Sequence, residues 1–170
     1  DRDVFLPLRE ELQFTDDYLA IEVVRFGAEK LRVAKDVAIN TLDILVPSMV
    51  LQPLIENSIK HGLEPRLNGG VIIVRSRLQG EKLMIEVDDD GVGMPPERDS
   101  TAPVSGLIRP GTGIGMRNVR ERLHVLYGDD AGMEIISRPG RGTRVVLTIP
   151  VMTVEMETAA HRAESRSTDS

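Results

Sequence analysis

Hydrophobic positions along this chain fall into two rhythms, one helical and one alternating. Through residues 7–26, Leu8, Leu12, Leu19, Val23 and Phe26 recur on one narrow stripe, with Thr15 as its polar interruption. Gly27 is placed to end that helix. The stripe has two candidate partners, its own domain or a second helix in a dimerisation segment, and periodicity alone does not separate them. Residues 30–37 (KLRVAKDV) alternate like a strand. A second helix begins near Leu51, tolerating Pro53 only in its first turn, and closes at Gly62. Two hairpins are then expected, 70–78 with 82–88 turning at Gln79-Gly80, and 132–138 with 143–150 turning from Pro139-Gly140. Leu83, Ile85 and Val87 point one way, as do Val145, Leu147 and Ile149. Between the hairpins lie a Pro-, Gly- and Ser-rich stretch, 94–111, and an amphipathic helix, 113–127, with Met116, Val119, Leu123 and Leu126 inward.

This order predicts an α/β two-layer sandwich, one mixed β-sheet with helices on one face. It divides the chain into a helical segment, 1–28, a domain, 29–151, and a polar tail, 152–170, whose lack of periodicity predicts disorder. A length of 170 residues with 41% hydrophobic and 28% charged positions suits one such domain. Aromatics make up only 3%, so the core must be built from Val, Ile, Leu and Met. The longest apolar runs, such as VIIV at 71–74, are far too short to cross a bilayer. There is no cysteine, hence no disulfide framework and no thiolate metal site. A net charge of −6 argues against nucleic acid as the main partner. The chain opens on Asp1 without an initiator Met, and reads as part of a longer protein.

Four separated stretches carry candidate chemistry. On the helix after Leu51, the residues Asn57, Lys60 and His61 fall at i, i+3 and i+4 opposite Leu51, Ile55 and Ile59. An amide oxygen there can ligate Mg²⁺, and a lysine can neutralise phosphate. The ordinary account is a solvated face with a Glu56–Lys60 pair. The triplet Asp88-Asp89-Asp90 runs into Gly91-Val92-Gly93, where a carboxylate could select an exocyclic amine and glycines let the backbone approach a flat ring. Glu86, Asp88, Asp90, Gly91 and Glu97 also fall at calcium-loop spacing, but Pro95-Pro96 and the strand-like LMIEV before the triplet oppose that reading. GTGIGM at 111–116 opens a helix whose free N–H groups favour phosphate; its spacing and its loop-like approach do not fit a dinucleotide fingerprint. Arg117, in the first turn, could reach phosphate, whereas Arg122 reads as basic helix surface. The fourth stretch, GRGT at 140–143, ends in Thr143, whose hydroxyl could support the carboxylate or serve an ordinary hairpin.

In this order the four stretches supply what a purine triphosphate with a divalent metal needs, and they resemble the Bergerat-fold ATPases. Asn57-Ser58-Ile59-Lys60-His61 looks like the N box of sensor histidine kinases, Asp89-Asp90-Gly91-Val92-Gly93 like their first glycine box, 111–116 like the second and 140–143 like the last. The wording LREELQFTDDYLAIEVVRFG, VPSMVLQPLIENSIKHG and GIGMRNVRERL is similar to the LytS-type sensor kinases, across roughly residues 6–150. The resemblance implies that Asn57 holds Mg²⁺, that Lys60 and His61 lie near the phosphates, and that Asp89 binds the adenine amine in a pocket shaped by Gly91 and Gly93. It implies an ATP lid over 94–112, a phosphate contact around Gly113, Gly115, Met116 and Arg117, and support of Asp89 by Thr143. Residues 1–28 would then end a dimerisation and phosphoacceptor region. The activity implied is transfer of the ATP γ-phosphoryl group to an upstream histidine. A homodimeric parent anchored in the bacterial inner membrane, with this domain cytoplasmic, would serve a response regulator receiver domain. Two departures stand out. The PHFLFN-like acceptor motif is absent, and Pro53 occupies the position where gyrase-type relatives place a glutamate base. Two alternatives stay open, a non-catalytic nucleotide sensor and an anti-sigma-type serine kinase.

Overall fold

The computed structural model describes residues 4–66, 68–93 and 114–153, with Glu155, Met156, Thr158, Ala159 and Arg162 beyond them. The expected lid, 94–112, and Gly113 therefore lie outside the described residues. In chain order the elements are β1 (Phe5–Pro7), α1 (Leu8–Phe26), β2 (Leu31–Val37), β3 (Leu45–Pro47), α2 (Gln52–Asn57), β4 (Gly70–Gln79), β5 (Lys82–Asp89), α3 (Ile114–Tyr127), β6 (Gly132–Arg138) and β7 (Gly142–Pro150).

One five-stranded sheet has the order β2-β4-β5-β7-β6. β2 and β4 pair in parallel and the other three pairings are antiparallel, so the sheet is mixed as expected. The parallel pair needs a long crossover, and that crossover carries α2. Alternation sends Ile72, Val74, Leu83, Ile85, Val87, Val145, Leu147 and Ile149 to one face, where they share a single core with buried side chains of all three helices. The other face carries charges: Arg144 Nε donates to Asp88 Oδ1 at 2.7 Å, Arg77 lies 3.5 Å from Glu86, and Arg75 pairs with Asp88. Expected and observed architecture agree.

The stripe on α1 faces its own domain. Leu8, Leu12, Thr15 and Leu19 are buried, with Val23 and Phe26 packed against the same core. Thr15 is buried without an unmet donor, because its hydroxyl donates to the Glu11 carbonyl at 2.9 Å. Gly27 ends the helix at φ 94°, its N–H donating to Val23 O at 2.9 Å. Three features depart from expectation. β1 and β3, three residues each, form a separate antiparallel ribbon too short for alternation to reveal. The helix after Leu51 is α-helical only to Asn57 and continues as a π-helical turn, Ser58–Leu63. In the tail, where disorder is expected, Glu155, Met156, Thr158, Ala159 and Arg162 are helical and exposed.

Candidate nucleotide site

The three consecutive aspartates have three different surroundings. Asp89 keeps the strand phase of Leu83, Ile85 and Val87, so it enters the core side of the sheet at the end of β5 and is only 7% exposed. Asp88 points to the opposite face, into the arginine ladder. Asp90 lies past the strand end and accepts the Val71 N–H at 2.8 Å. Only Asp89 is both buried and at a strand terminus. Its carboxylate accepts the Gly91 N–H at 2.9 Å, the Ser58 hydroxyl and the Thr143 N–H. Burial nevertheless pushes its carboxyl above the usual carboxylate range, with those three donors pulling it back and Asp90 adding to the rise. Glu86 and Asp88 are held on the charged sheet face by arginines, and the strand continues through Asp89, which is not the geometry of a calcium loop.

Ser58 brings the second element to this point. The residue before it, Asn57, is 8% exposed, and its Oδ1 is buried with no hydrogen-bond partner among the described residues. Such an oxygen ordinarily costs about 1–3 kcal/mol, so it marks a position built for something else. The shared face expected for Asn57, Lys60 and His61 is not found, because Asn57 is buried while Lys60 and His61 are exposed. The helix also changes to i→i+5 bonding just after Asn57, seen where Glu64 N–H donates to Ile59 O at 2.8 Å. The expected Glu56–Lys60 pair is also absent among the described residues; Glu56 accepts Gln52 Nε2 at 3.0 Å instead.

Glycines lock the last turn of this helix, the β5 exit and the β6–β7 hairpin together. A Cβ on Gly62 would meet Asp89 Oδ1 at 2.7 Å, and one on Gly91 would meet Gly62 O at 2.3 Å. Gly93, at φ 69°, has room for no Cβ because Arg138 O would be 2.1 Å away. Backbone bonds complete the junction, Val92 N–H to Gly62 O at 3.0 Å and Gly140 N–H to Val92 O at 2.7 Å. Gly91 and Gly93 thus permit close approach of protein backbone. Thr143 supports Asp89 through its N–H; its hydroxyl lies 2.8 Å from Ser137 Oγ, contrary to the expected hydroxyl contact. On the far side, α3 approaches α2 where a Gly115 Cβ would lie 3.5 Å from Pro53. Arg117 is exposed in its first turn, while the Met116 side chain is 1% exposed in the core, as its inward phase on the helix predicts.

Sequence reasoning missed Ser58, whose neighbour Asn57 drew the attention, although it falls one position from a residue already singled out. It also misread Arg122, which is part-buried and donates to Ser48 O, to Ser48 Oγ at 3.1 Å and to Val4 O at 3.4 Å. Among the described residues no group of three or more His, Cys, Asp or Glu is placed to hold a metal. Asn57 Oδ1 offers one hard oxygen donor, which suits Mg²⁺, an ion that shares its shell with substrate phosphates.

Known proteins similar to this chain include sensor kinases. The chain is 32% identical over 149 residues to the sensor histidine kinase BtsS of Escherichia coli K12, covering 86% of this chain and 24% of that protein. It is 34% identical over 157 residues to the sensor protein LytS of Staphylococcus saprophyticus, covering 92% of this chain and 26% of that one. It thus spans about a quarter of the length of these relatives. The catalytic domain of the histidine kinase ThkA shares the fold, with a TM-score of 0.62 at 18% identity over 86% of this chain and 93% of that one. Residues 43–153 match the family described as histidine kinase-, DNA gyrase B- and HSP90-like ATPase, and with that match covering most of the described domain, the chain belongs to this family.

Proposed function

We propose that this chain is the ATP-binding catalytic part of a sensor histidine kinase, passing the γ-phosphoryl group to a histidine on an upstream helix of the same protein. The observation that carries this reading is the pair formed by Asn57, with its unpartnered buried Oδ1, and Asp89, joined through the Ser58 hydroxyl. Asp89 would accept a hydrogen bond from the adenine amine, in a base pocket bounded by Gly91 and Gly93. Asn57 Oδ1 would hold Mg²⁺, which neutralises phosphate charge when bound. Lys60, His61, Arg117 and the N-terminus of α3 at Gly113 and Gly115 would face the phosphates, Lys60, His61 and Arg117 being exposed. A neutral imidazole nitrogen attacks the γ-phosphorus; an N–P bond forms, the P–O bond to ADP breaks, and the surplus ring proton leaves to solvent. Positioning and charge account for most of such a transfer.

No helix among the described residues is long and apolar enough to cross a membrane. An anchor in the inner membrane, a homodimeric parent and a response regulator receiver domain as onward acceptor are parts of the same proposal; the names of the relatives, sensor histidine kinase and sensor protein, support its signalling role. Incubating the chain with its own upstream acceptor segment and labelled ATP tests the reading. Acid-labile label on histidine is expected. Acid-stable label, or bound ATP without transfer, would sink it.

A further inference from the structure

One fully buried residue of α1 is a carboxylate, Glu11, 1% exposed. Its Oε2 accepts the Met49 N–H and its Oε1 the Leu51 N–H, both at 3.1 Å. Leu51 is the N-cap residue of α2, and its carbonyl accepts from Leu54 and Ile55 at 3.0 and 3.1 Å. Met49 is the only non-glycine residue of positive φ among the described residues, at 60°, a strained conformation that persists only where its surroundings impose it. Arg122 of α3 closes on the same turn through the Ser48 carbonyl and hydroxyl. A small cavity of about 130 Å³, lined in part by Met49, Pro53, Gly115 and Arg122, separates the turn from α3. Burial raises the Glu11 carboxyl, against the backbone donors at 49–51 and the nearby Arg122 cation. A side chain buried at this cost for packing alone would be apolar.

We propose that Glu11 is a positioning residue for the nucleotide site: by fixing the 48–51 turn, it makes the placement of α1 set the geometry of α2 and, through Arg122, of α3. The proposal rests on the assignment of Asn57 and Asp89 to ATP. The route is short and continuous, from Glu11 to the Leu51 N–H, along α2 to Asn57 and Ser58, and from Ser58 to Asp89. Such coupling is reciprocal, so ATP should in turn protect the turn and α1.

Amide hydrogen exchange and binding of a fluorescent ATP analogue with Mg²⁺ provide the test, on Glu11→Ala, Glu11→Gln and Leu19→Ala. Leu19 is 4% exposed on α1, eight residues beyond Glu11, and its apolar side chain can make no hydrogen bond to the turn, so its variant reports loss of α1 packing. Without nucleotide, Glu11→Ala should speed exchange through 52–63 and 114–123 beyond the change in Leu19→Ala. Its affinity should fall about fivefold or more, the lower range for coupled sites. Glu11→Gln keeps one acceptor oxygen, so it should lose less affinity than Glu11→Ala. Faster exchange confined to 49–51, or equal affinity losses in Glu11→Ala and Leu19→Ala, would overturn the proposal. Should Glu11→Ala not fold, Glu11→Gln carries the same comparison, and an affinity equal to the parent chain's would overturn it. Absence of nucleotide binding by the parent chain would refute the ATP assignment, while the exchange comparison without nucleotide would still decide the coupling.

Discussion

At Asp89, a buried carboxylate, stability and recognition pull in opposite directions. Its carboxyl is raised, burial being the largest cause. A carboxyl raised on folding contributes stability that is whole below its unfolded value, near 3.9, and is lost as pH rises through the native value. The stability of the parent chain relative to Asp89→Asn, which does not titrate there, should therefore rise as pH falls from 8 towards the carboxylate range, as thermal melts across that span would show. The same substitution should weaken ATP binding by about 1.5–3 kcal/mol, one charge-assisted hydrogen bond, measured by calorimetry. Unchanged affinity would remove Asp89 from adenine recognition. Asn57→Ala should act differently, because it deletes an oxygen that already lacks a partner among the described residues. The melting point should hold nearly constant while the gain in ATP affinity on adding Mg²⁺ disappears. The sequence placed Asp89 in an acidic triplet and the family resemblance singled it out; in the structure strand phase separates it from Asp88 and Asp90, whose charges go to arginines and to the β4 backbone.

Among the elements, the β6–β7 hairpin owes its place in the site to two glycines in different surroundings. Gly140 and Gly142 have φ of 74° and 88°, so alanine is strained at both by about 1–2 kcal/mol. A Cβ on Gly140 meets nothing within 4 Å, whereas one on Gly142 would lie 1.9 Å from Asp89 O. Gly142→Ala should thus destabilise clearly more than Gly140→Ala in denaturant melts, and it alone should also impair ATP binding. Equal losses in both would mean that the contact with Asp89 is not what fixes the hairpin. The helix of Asn57 teaches the opposite lesson about legibility. Its apolar side, Leu51, Ile55 and Ile59, was readable because burial of all three obeys helical spacing. Its polar side was not, because Asn57 is buried although helical spacing puts it opposite those three, and nothing in residue spacing announces the π-helical turn that follows it.

For the molecule as a whole, ATP that binds the folded state alone must raise its melting temperature. At a free concentration one hundred times Kd the gain is about 2.7 kcal/mol, or roughly 5–10 °C for a chain of this size, and it should require Mg²⁺. A thermal melt without that shift would contradict the nucleotide assignment. How far this outcome was written in the chain differs from feature to feature. Hydrophobic spacing by itself determined α1, the two hairpins, the inner face of the sheet and the two-layer architecture, since each follows from the local period of side chains about one backbone. The glycine-rich stretches and their order likewise disclosed the family. Tertiary structure alone decided that Ser58 reaches Asp89, that Thr143 serves it with an N–H while its hydroxyl turns to Ser137, and that Glu11 and Arg122 grip one turn from two helices. Those partners are 31, 54, 6, 40 and 74 positions apart for the pairs Ser58–Asp89, Asp89–Thr143, Ser137–Thr143, Glu11–Leu51 and Ser48–Arg122. Except within the hairpin, no local pattern spans such separations; only the packing of helices on the sheet brings the polar atoms within bonding distance.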